Sequence, residues 1–329
     1  MAIQKNAYIS AKVFDEDVEQ QPTRNGYGEG LLEAGEKYEN VVALCADLTE
    51  STRTEAFAKK FPERFFEVGV AEQNMNTIAA GLGISGKIPF VASYATFSPG
   101  RAVEQIRTTI AYNDSNVKIA GHHAGISVGP DGATHQALED VAIMRAMPNM
   151  RVIVPADAEE ARKATLEAVK IKGPVYLRFA REKTPVFTTK KTPFRFGRAE
   201  IFFKAAKPKV AIIAAGPILH NALIAANELK KEKINTVVIN CHTVKPLDEK
   251  TILKVVKEVD AVVTVEEHQV LGGLGGAIAE LLAKEMPKKM GFIGMQDCFG
   301  ESGSPEELIK KYGMDTVAIK KKVKEVLKS

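Results

Sequence analysis

Apolar and polar positions alternate in blocks along this chain. From about Gly28 a stretch with helical spacing, GEGLLEAGEKY, leads into a continuous apolar run, NVVALCAD. STRTEAFAKKF then leads to RFFEVGV, AEQNMNTIAAGLGIS to IPFVASYATF, and RAVEQIRTTIAYN to NVKIAGHHAG. After a Gly-rich loop, LEDVAIMRAM leads to MRVIVPA and AEEARKATLEAVKI to PVYLRFAR. Short unbroken apolar runs between helical segments predict a parallel sheet covered on both faces. The rhythm fails over EKTPVFTTKKTPFRFGRAE, whose prolines, threonines and charges predict a linker. It restarts with KVAIIAAG, HNALIAANELKKEK, NTVVINC, DEKTILKVVKEV, DAVVTVEEH, LGGAIAELLAKEM and GFIGMQD. The expected fold class is therefore α/β, with two doubly wound domains. Residues 1–20 are expected as a tail or arm over the first domain. Residues 21–184 are expected to form a mainly parallel sheet domain, 185–204 a linker, and 205–329 a smaller three-layer α/β domain. Two helix starts carry local signals: Asp157 before AEEARKATLEAV, and Ser304 followed by Pro305. IKKKVKEVLKS alternates Lys with apolar residues and predicts an amphipathic helix with a solvated face.

Composition narrows the classes. The 329 residues are 45% hydrophobic and 26% charged, which excludes disorder for the bulk of the chain. A net charge of +4 with no long basic run makes nucleic acid a poor default partner. Cys45, Cys241 and Cys298 lie far apart, against a disulfide scaffold or a cysteine zinc site, and suit a reducing, cytoplasmic setting. No apolar run approaches the roughly 20 residues that span a bilayer, so no membrane is expected. The N-terminus shows no apolar signal core.

Several motifs carry candidate chemistry. Gly125-Ile126-Ser127-Val128-Gly129 matches the nucleophile pattern GxSxG, with Asp131 and His135 following. That elbow needs a helix directly after the serine, and GPDGATHQ cannot start one. LGGLGGAIAEL looks like a dinucleotide loop, but Ile278 stands where the third glycine should be, so tight helix–strand packing is the better reading. His122, His123 and His135 have no acidic or sulfur partner at ligand spacing, and no metal site is expected in this chain. Glu72 lies between a strand-like and a helix-like stretch. It is either an acid favoured at a helix N-terminus or a carboxylate at the carboxyl end of a buried strand, where α/β sheets place ligands. Tyr94 and Phe97 end a strand, where they belong to the core or hold a flat ring by stacking. Arg24 and Arg181 are ordinary surface residues unless they converge, in which case they would clamp a phosphate.

Taken together, AEQNM, SYATF, GPDGATHQ after GHHAGISV, and GPVYLRFAR resemble the pyrimidine-binding and C-terminal domains of transketolase. The resemblance runs from about Arg24 to near the C-terminus. The GDG signature of the further N-terminal domain, which holds the phosphates of thiamine diphosphate through a metal, is not found. The chain thus resembles the separately encoded C-terminal half of a split transketolase. The resemblance implies thiamine diphosphate as cofactor, with magnesium or calcium held mainly by an N-terminal partner subunit. It also implies an α2β2 heterotetramer and a place in the pentose phosphate pathway. The implied reaction moves a two-carbon ketol unit from a ketose phosphate, such as xylulose 5-phosphate, to an aldose phosphate, such as ribose 5-phosphate.

The same resemblance assigns residues. Glu72 falls where the family contacts a ring nitrogen of the aminopyrimidine, and a carboxyl shielded from water can share a proton there. Tyr94 and Phe97 fall on the positions that pack against that ring, and Asp47 lies near the cofactor and substrate pocket. His123 is implied as a catalytic residue of the substrate channel, and Asp131 as the partner of a sugar hydroxyl. Arg24, Ser51, His135 and Arg181 match the phosphate end. Three alternatives remain. The chain could be the β subunit of a 2-oxo-acid dehydrogenase, a relative of 1-deoxyxylulose-5-phosphate synthase, or a catalytically silent regulatory subunit.

Overall fold

Runs such as VVALC and VAIIA are β-branched and fully apolar, so they are stable only where both faces of a sheet are covered. In the computed structural model, which describes residues 2–328, both become central strands with every residue buried. The first unit runs β1 (Gln20–Gln21), α1 (Thr23–Lys37), β2 (Val41–Cys45), α2 (Glu55–Lys60), β3 (Phe65–Glu67), α3 (Glu72–Ile84) and β4 (Ile88–Tyr94). It continues through α4 (Val103–Gln105), which is flanked by π-helical turns, to β5 (Lys118–His122) and α5 (Asp140–Ala146). It closes with β6 (Arg151–Ile153), α6 (Ala158–Lys170), β7 (Val175–Arg178) and β8 (Thr184–Pro185). The second unit runs β9 (Glu200–Lys204), β10 (Val210–Ala214), α7 (Leu219–Lys231), β11 (Thr236–Asn240), β12 (Thr243–Lys245) and α8 (Glu249–Val256). β13 (Ala261–Gln269), α9 (Leu274–Glu285), β14 (Lys289–Met295), α10 (Pro305–Lys311) and α11 (Thr316–Lys328) complete it.

The seven-stranded sheet has the order β12-β6-β7-β5-β4-β2-β3, and the five-stranded sheet the order β14-β13-β10-β11-β9. Within these two sheets all pairings are parallel except β12 on β6 and β9 on β11, both at sheet edges, and β1 pairs with β8 in a separate antiparallel ribbon. Thus the chain is α/β with two mainly parallel sheets, the second smaller. The expected helix starts are present. The Asp157 side chain accepts the Glu160 N–H, and Ser304 with Glu307 forms a reciprocal capping box ahead of Pro305. α1 and α6 pack tightly on one face, because a side chain at Gly26 would collide with the Ala158 backbone.

Three placements were not visible in the pattern. The N-terminal arm was expected over the first domain, but it lies on the second. Gln4 N donates to Phe202 O at 3.0 Å, Lys204 N to Ala2 O at 2.7 Å, and Ala7 and Val13 join the core around Phe202 and Phe203. The physical reason is the exposed edge of β9, which takes the arm as cover. That strand itself falls in the last residues of the stretch expected as a linker. Finally, β12 leaves the second unit to pair with β6 of the first. One apolar core, including Leu44 and Val91 with Ile213 and Val237, accordingly runs across both units.

Candidate active site

Parallel strands point their carboxyl ends at one rim, and the loops there gather residues that are remote in sequence. β2 delivers residues 46–54, β4 delivers Tyr94 to Phe97, β5 delivers His123 and β7 delivers Arg181. Backbone in the left-handed region, rare for residues with side chains, marks this rim at Asp47 (φ 59°), Arg53 (φ 62°) and His123 (φ 51°).

At one side, Glu72 opens α3 and is 2% exposed. Its Oε2 lies 3.5 Å from Arg101 Nη1, and the Arg101 guanidinium sits over the Phe97 ring at 5.1 Å. Asn76, one turn on, donates to Glu72 O and to Ser98 Oγ, while its buried Oδ1 has no partner. The Tyr94 and Phe97 rings are nearly parallel, with centroids 5.9 Å apart. A buried carboxyl, an orphaned amide oxygen and an aromatic shelf fit an aminopyrimidine ring.

Next to the shelf, His123 packs on Tyr94 with ring centroids 3.9 Å apart. Arg24 Nη1 lies 3.0 Å from His123 Nε2. A guanidinium can only donate, so Nε2 accepts and the imidazole proton sits on Nδ1. That Nδ1 is buried and unpartnered. Burial, with the cations Arg24 and Arg181, pushes the His123 pKa down to about 3, so the ring is neutral at physiological pH. Arg24 also donates to Ser51 O at 2.9 Å, and Ser51 Oγ lies 2.9 Å from Tyr94 Oη. Burial and then the neighbouring Arg53 and Arg181 depress the Arg24 pKa, although it stays charged.

The remaining expected residues lie around this centre. Arg181 Nη1 is 3.0 Å from both Val128 O and Asp131 Oδ1, so Asp131 is ion-paired. His135 is half-buried, bonds Thr134 Oγ1 through Nδ1 at 2.9 Å and stands edge-on to Phe97 at 5.5 Å. Asp47 N donates to Glu67 Oε1 at 2.7 Å. A cleft of about 440 Å³ is lined by Arg24, Asp47, Ser51 and Arg53. Arg24, Ser51, Tyr94, Phe97, His123 and His135 thus form one connected cluster. Arg181 and Asp131 border it, Asp47 lies across the cleft, and Glu72 lies beyond Phe97.

The competing motifs resolve differently. Ser127 sits in a 3₁₀ turn that leads to Gly129 at φ 77°, with no helix after it. Its N–H is bound by Glu267 Oε1 at 2.7 Å, while Asp131 pairs with Arg181, so no Ser–His–Asp relay exists among these residues. His122 turns away from His123, into the core between Tyr27 and Phe179, with both ring nitrogens unpartnered. The glycines after β13 pack tightly. Glu266 accepts the N–H groups of Leu274 and Gly275 at 2.7 Å each, filling the start of α9 with the chain's own carboxylate. Sequence reading missed Arg53, Glu67 and Arg101. The only local signal was charge, in the loop after β2 for Arg53, at the end of β3 for Glu67 and in a π-helical turn for Arg101, places where charge is ordinarily solvated.

Comparison with known proteins follows this geometry. Residues 19–186 match the family described as "Transketolase, pyrimidine binding domain", and residues 197–319 match "Transketolase, C-terminal domain". A protein of Methanocaldococcus jannaschii named for the C-terminal section of transketolase is 47% identical over 308 residues, covering 93% of this chain and 96% of that one. A 6-deoxy-6-sulfo-D-fructose transketolase subunit of a Clostridium species is 38% identical, covering 95% and 97%. A solved split-gene transketolase, described as an inactive β4 tetramer, superposes with a TM-score of 0.87 at 44% identity, covering 93% and 98%.

Proposed function

The chain belongs to the transketolase family, and we propose that it is the C-terminal subunit of a split transketolase. With an N-terminal subunit in an α2β2 assembly, it moves a two-carbon ketol unit from a ketose phosphate to an aldose phosphate. The family depends on thiamine diphosphate, which supplies the carbanion chemistry when bound. The metal on its phosphates is assigned to the partner subunit. One observation carries the reading. A buried carboxyl beside an aromatic shelf lies on the same rim as a neutral histidine and two guanidinium groups, Arg24 and Arg181.

Each residue has a role that its surroundings suit. Glu72 sets its carboxyl against a ring nitrogen, where a group shielded from water can share a proton. Tyr94 and Phe97 orient the ring, and Asp47 borders the pocket. His123 offers Nδ1–H to a substrate oxygen, a donor that its own protein leaves free. Asp131 takes a sugar hydroxyl from its place on Arg181. Arg24, Ser51, His135 and Arg181 receive the phosphate end, where fixed donors give charge and geometry together.

A coupled ketol-transfer assay tests this. This chain, its N-terminal subunit, thiamine diphosphate and magnesium are mixed with xylulose 5-phosphate and ribose 5-phosphate, each protein alone serving as control. Turnover in the mixture only is expected. A stable cofactor-bound complex that uses pyruvate instead would transfer the chain to the 2-oxo-acid enzymes or to 1-deoxyxylulose-5-phosphate synthases, and one with no turnover would make it a silent subunit.

A further inference from the structure

The 440 Å³ cleft holds a side chain that the functional reading has not used. Arg53 lies in the loop after β2, and three features fix its place. Its backbone is left-handed at φ 62°, a conformation that costs an arginine about 1 kcal/mol or more and persists only where surroundings impose it. α1 makes room for it through Gly28, where an added Cβ would meet Arg53 Cβ at 2.8 Å and its carbonyl oxygen at 2.7 Å. Asn25 Oδ1, also on α1, accepts Arg53 Nε at 3.0 Å and so aims the guanidinium. Among the described residues its two terminal nitrogens have no hydrogen-bond partner. Asp47 and Glu50 also border the cleft, yet among the described residues no carboxylate lies within ion-pair distance of Arg24 or Arg53.

The cluster is electrostatically incomplete. Arg53 and Arg181 both act on Arg24, and all three act on His123. Asp131 offsets Arg181, whereas Arg24 and Arg53 have no carboxylate of their own and repel each other until an anion sits between them. A tetrahedral oxyanion with two or three terminal oxygens matches the fork geometry of several arginines at once.

We propose that Arg53 is a specificity-determining residue, a third guanidinium that makes this mouth selective for substrates ending in a phosphate or sulfonate group over neutral sugars. The inference rests on the proposed ketol-transfer reading and deepens it by adding a residue, outside the set assigned to the phosphate end, that selects for an anionic end group. Phosphate and sulfonate share the chemistry that Arg53 recognises, and they differ in charge.

The experiment uses the assembled complex with thiamine diphosphate and magnesium. Three donors share one skeleton: fructose 6-phosphate, 6-deoxy-6-sulfofructose and fructose. Glycolaldehyde, a neutral acceptor, is held constant. Arg53→Asn is the variant of choice, because asparagine tolerates left-handed backbone and the loop should keep its shape. It is expected to raise KM for the anionic donors roughly 10- to 100-fold, with kcat little changed and KM for fructose unmoved. Arg53→Lys, which keeps the charge and loses the fork, should recover part of the loss. A larger rise for phosphate than for sulfonate identifies the dianion as the preferred end group, and the reverse order identifies the sulfonate. Equal effects on all three donors, or none, overturn the proposal. A second measurement separates it from the broader reading. The chain alone is titrated with inorganic phosphate and with sulfate, and Arg53→Asn should weaken binding. If the wild-type complex transfers no ketol unit, the proposed function fails, while this titration still decides whether Arg53 binds an oxyanion. Unchanged anion affinity in the variant would sink the inference there too.

Discussion

The two sheets of this protein are built alike and finish differently at their carboxyl ends. Above β2, β4 and β5 the rim keeps strained backbone at Asp47, Arg53 and His123, and leaves Arg24 Nε and His123 Nδ1 without partners. Above β11 and β13 the chain closes on itself. Glu266 takes two N–H groups at the start of α9, Glu267 takes the Ser127 N–H, and Asn240 Nδ2 donates to Glu160 of the first unit. The same position in the fold is thus open in one sheet and plugged by carboxylates in the other. Fold position offers a site, and the side chains delivered there decide whether it is used for chemistry or for holding two units together. The second rim also serves the first. Glu267 fixes residues 125–132, and a side chain at Gly125 would collide with it.

Perturbing each rim should separate the two roles. The largest effect is expected at Glu72. Glu72→Gln removes the carboxyl proposed to meet the cofactor ring and should lower kcat of the assembled enzyme by roughly 10²- to 10⁴-fold, with the melting temperature little changed. A variant that keeps its rate would mean that the first rim does not use this carboxyl. At the second rim, Glu266→Ala leaves two helix N–H groups unbonded. It should cost about 2–4 kcal/mol in chemical denaturation, while kcat per folded molecule stays near the parent value. A strong loss of kcat with unchanged stability would erase the contrast between the rims.

The smallest effect, counted per unit of pH, concerns protonation. His123 is held neutral, its pKa pushed down to about 3 from an ordinary 6.5. The unfolded chain therefore binds a proton here that the folded chain refuses. Stability from this group is full above pH 6.5 and declines as pH falls from there toward 3. His123→Gln should flatten that decline by up to about 1.4 kcal/mol per pH unit, read from denaturation midpoints at a series of pH values. The remaining slope belongs in part to His122 and His242, whose burial also lowers their pKa values. An unchanged slope would show that His123 is accessible to protons in the folded chain.

Much of this architecture could be read along the chain. Runs of buried β-branched residues announced the strands, and the Asp157 and Ser304 caps announced two helices, because both signals act over a few neighbouring residues. The groupings AEQNM, SYATF and GPDGATHQ pointed to Glu72, the aromatic pair and the loop that carries Asp131. Arg53 was not legible, since a charge in an irregular loop looks the same whether it faces water or a substrate, and Glu67, at the end of β3, looks like any exposed strand residue. Nor was the docking of residues 2–4 on β9, because an unpaired strand edge exists only once the sheet is assembled.

The order of residues along the chain sets where it is apolar, hence which segments become strands, which become helices, and that both sheets are mainly parallel. Those outcomes follow from periodicity and capping, which are local. Folding in three dimensions brings Arg24, Ser51, His123 and Arg181 to one mouth, pairs Asp131 with Arg181, and turns His122 away from its neighbour. Each of these depends on parallel strands ending at one rim and on which side of the pleat a residue falls. Neither is a property of any short stretch of chain.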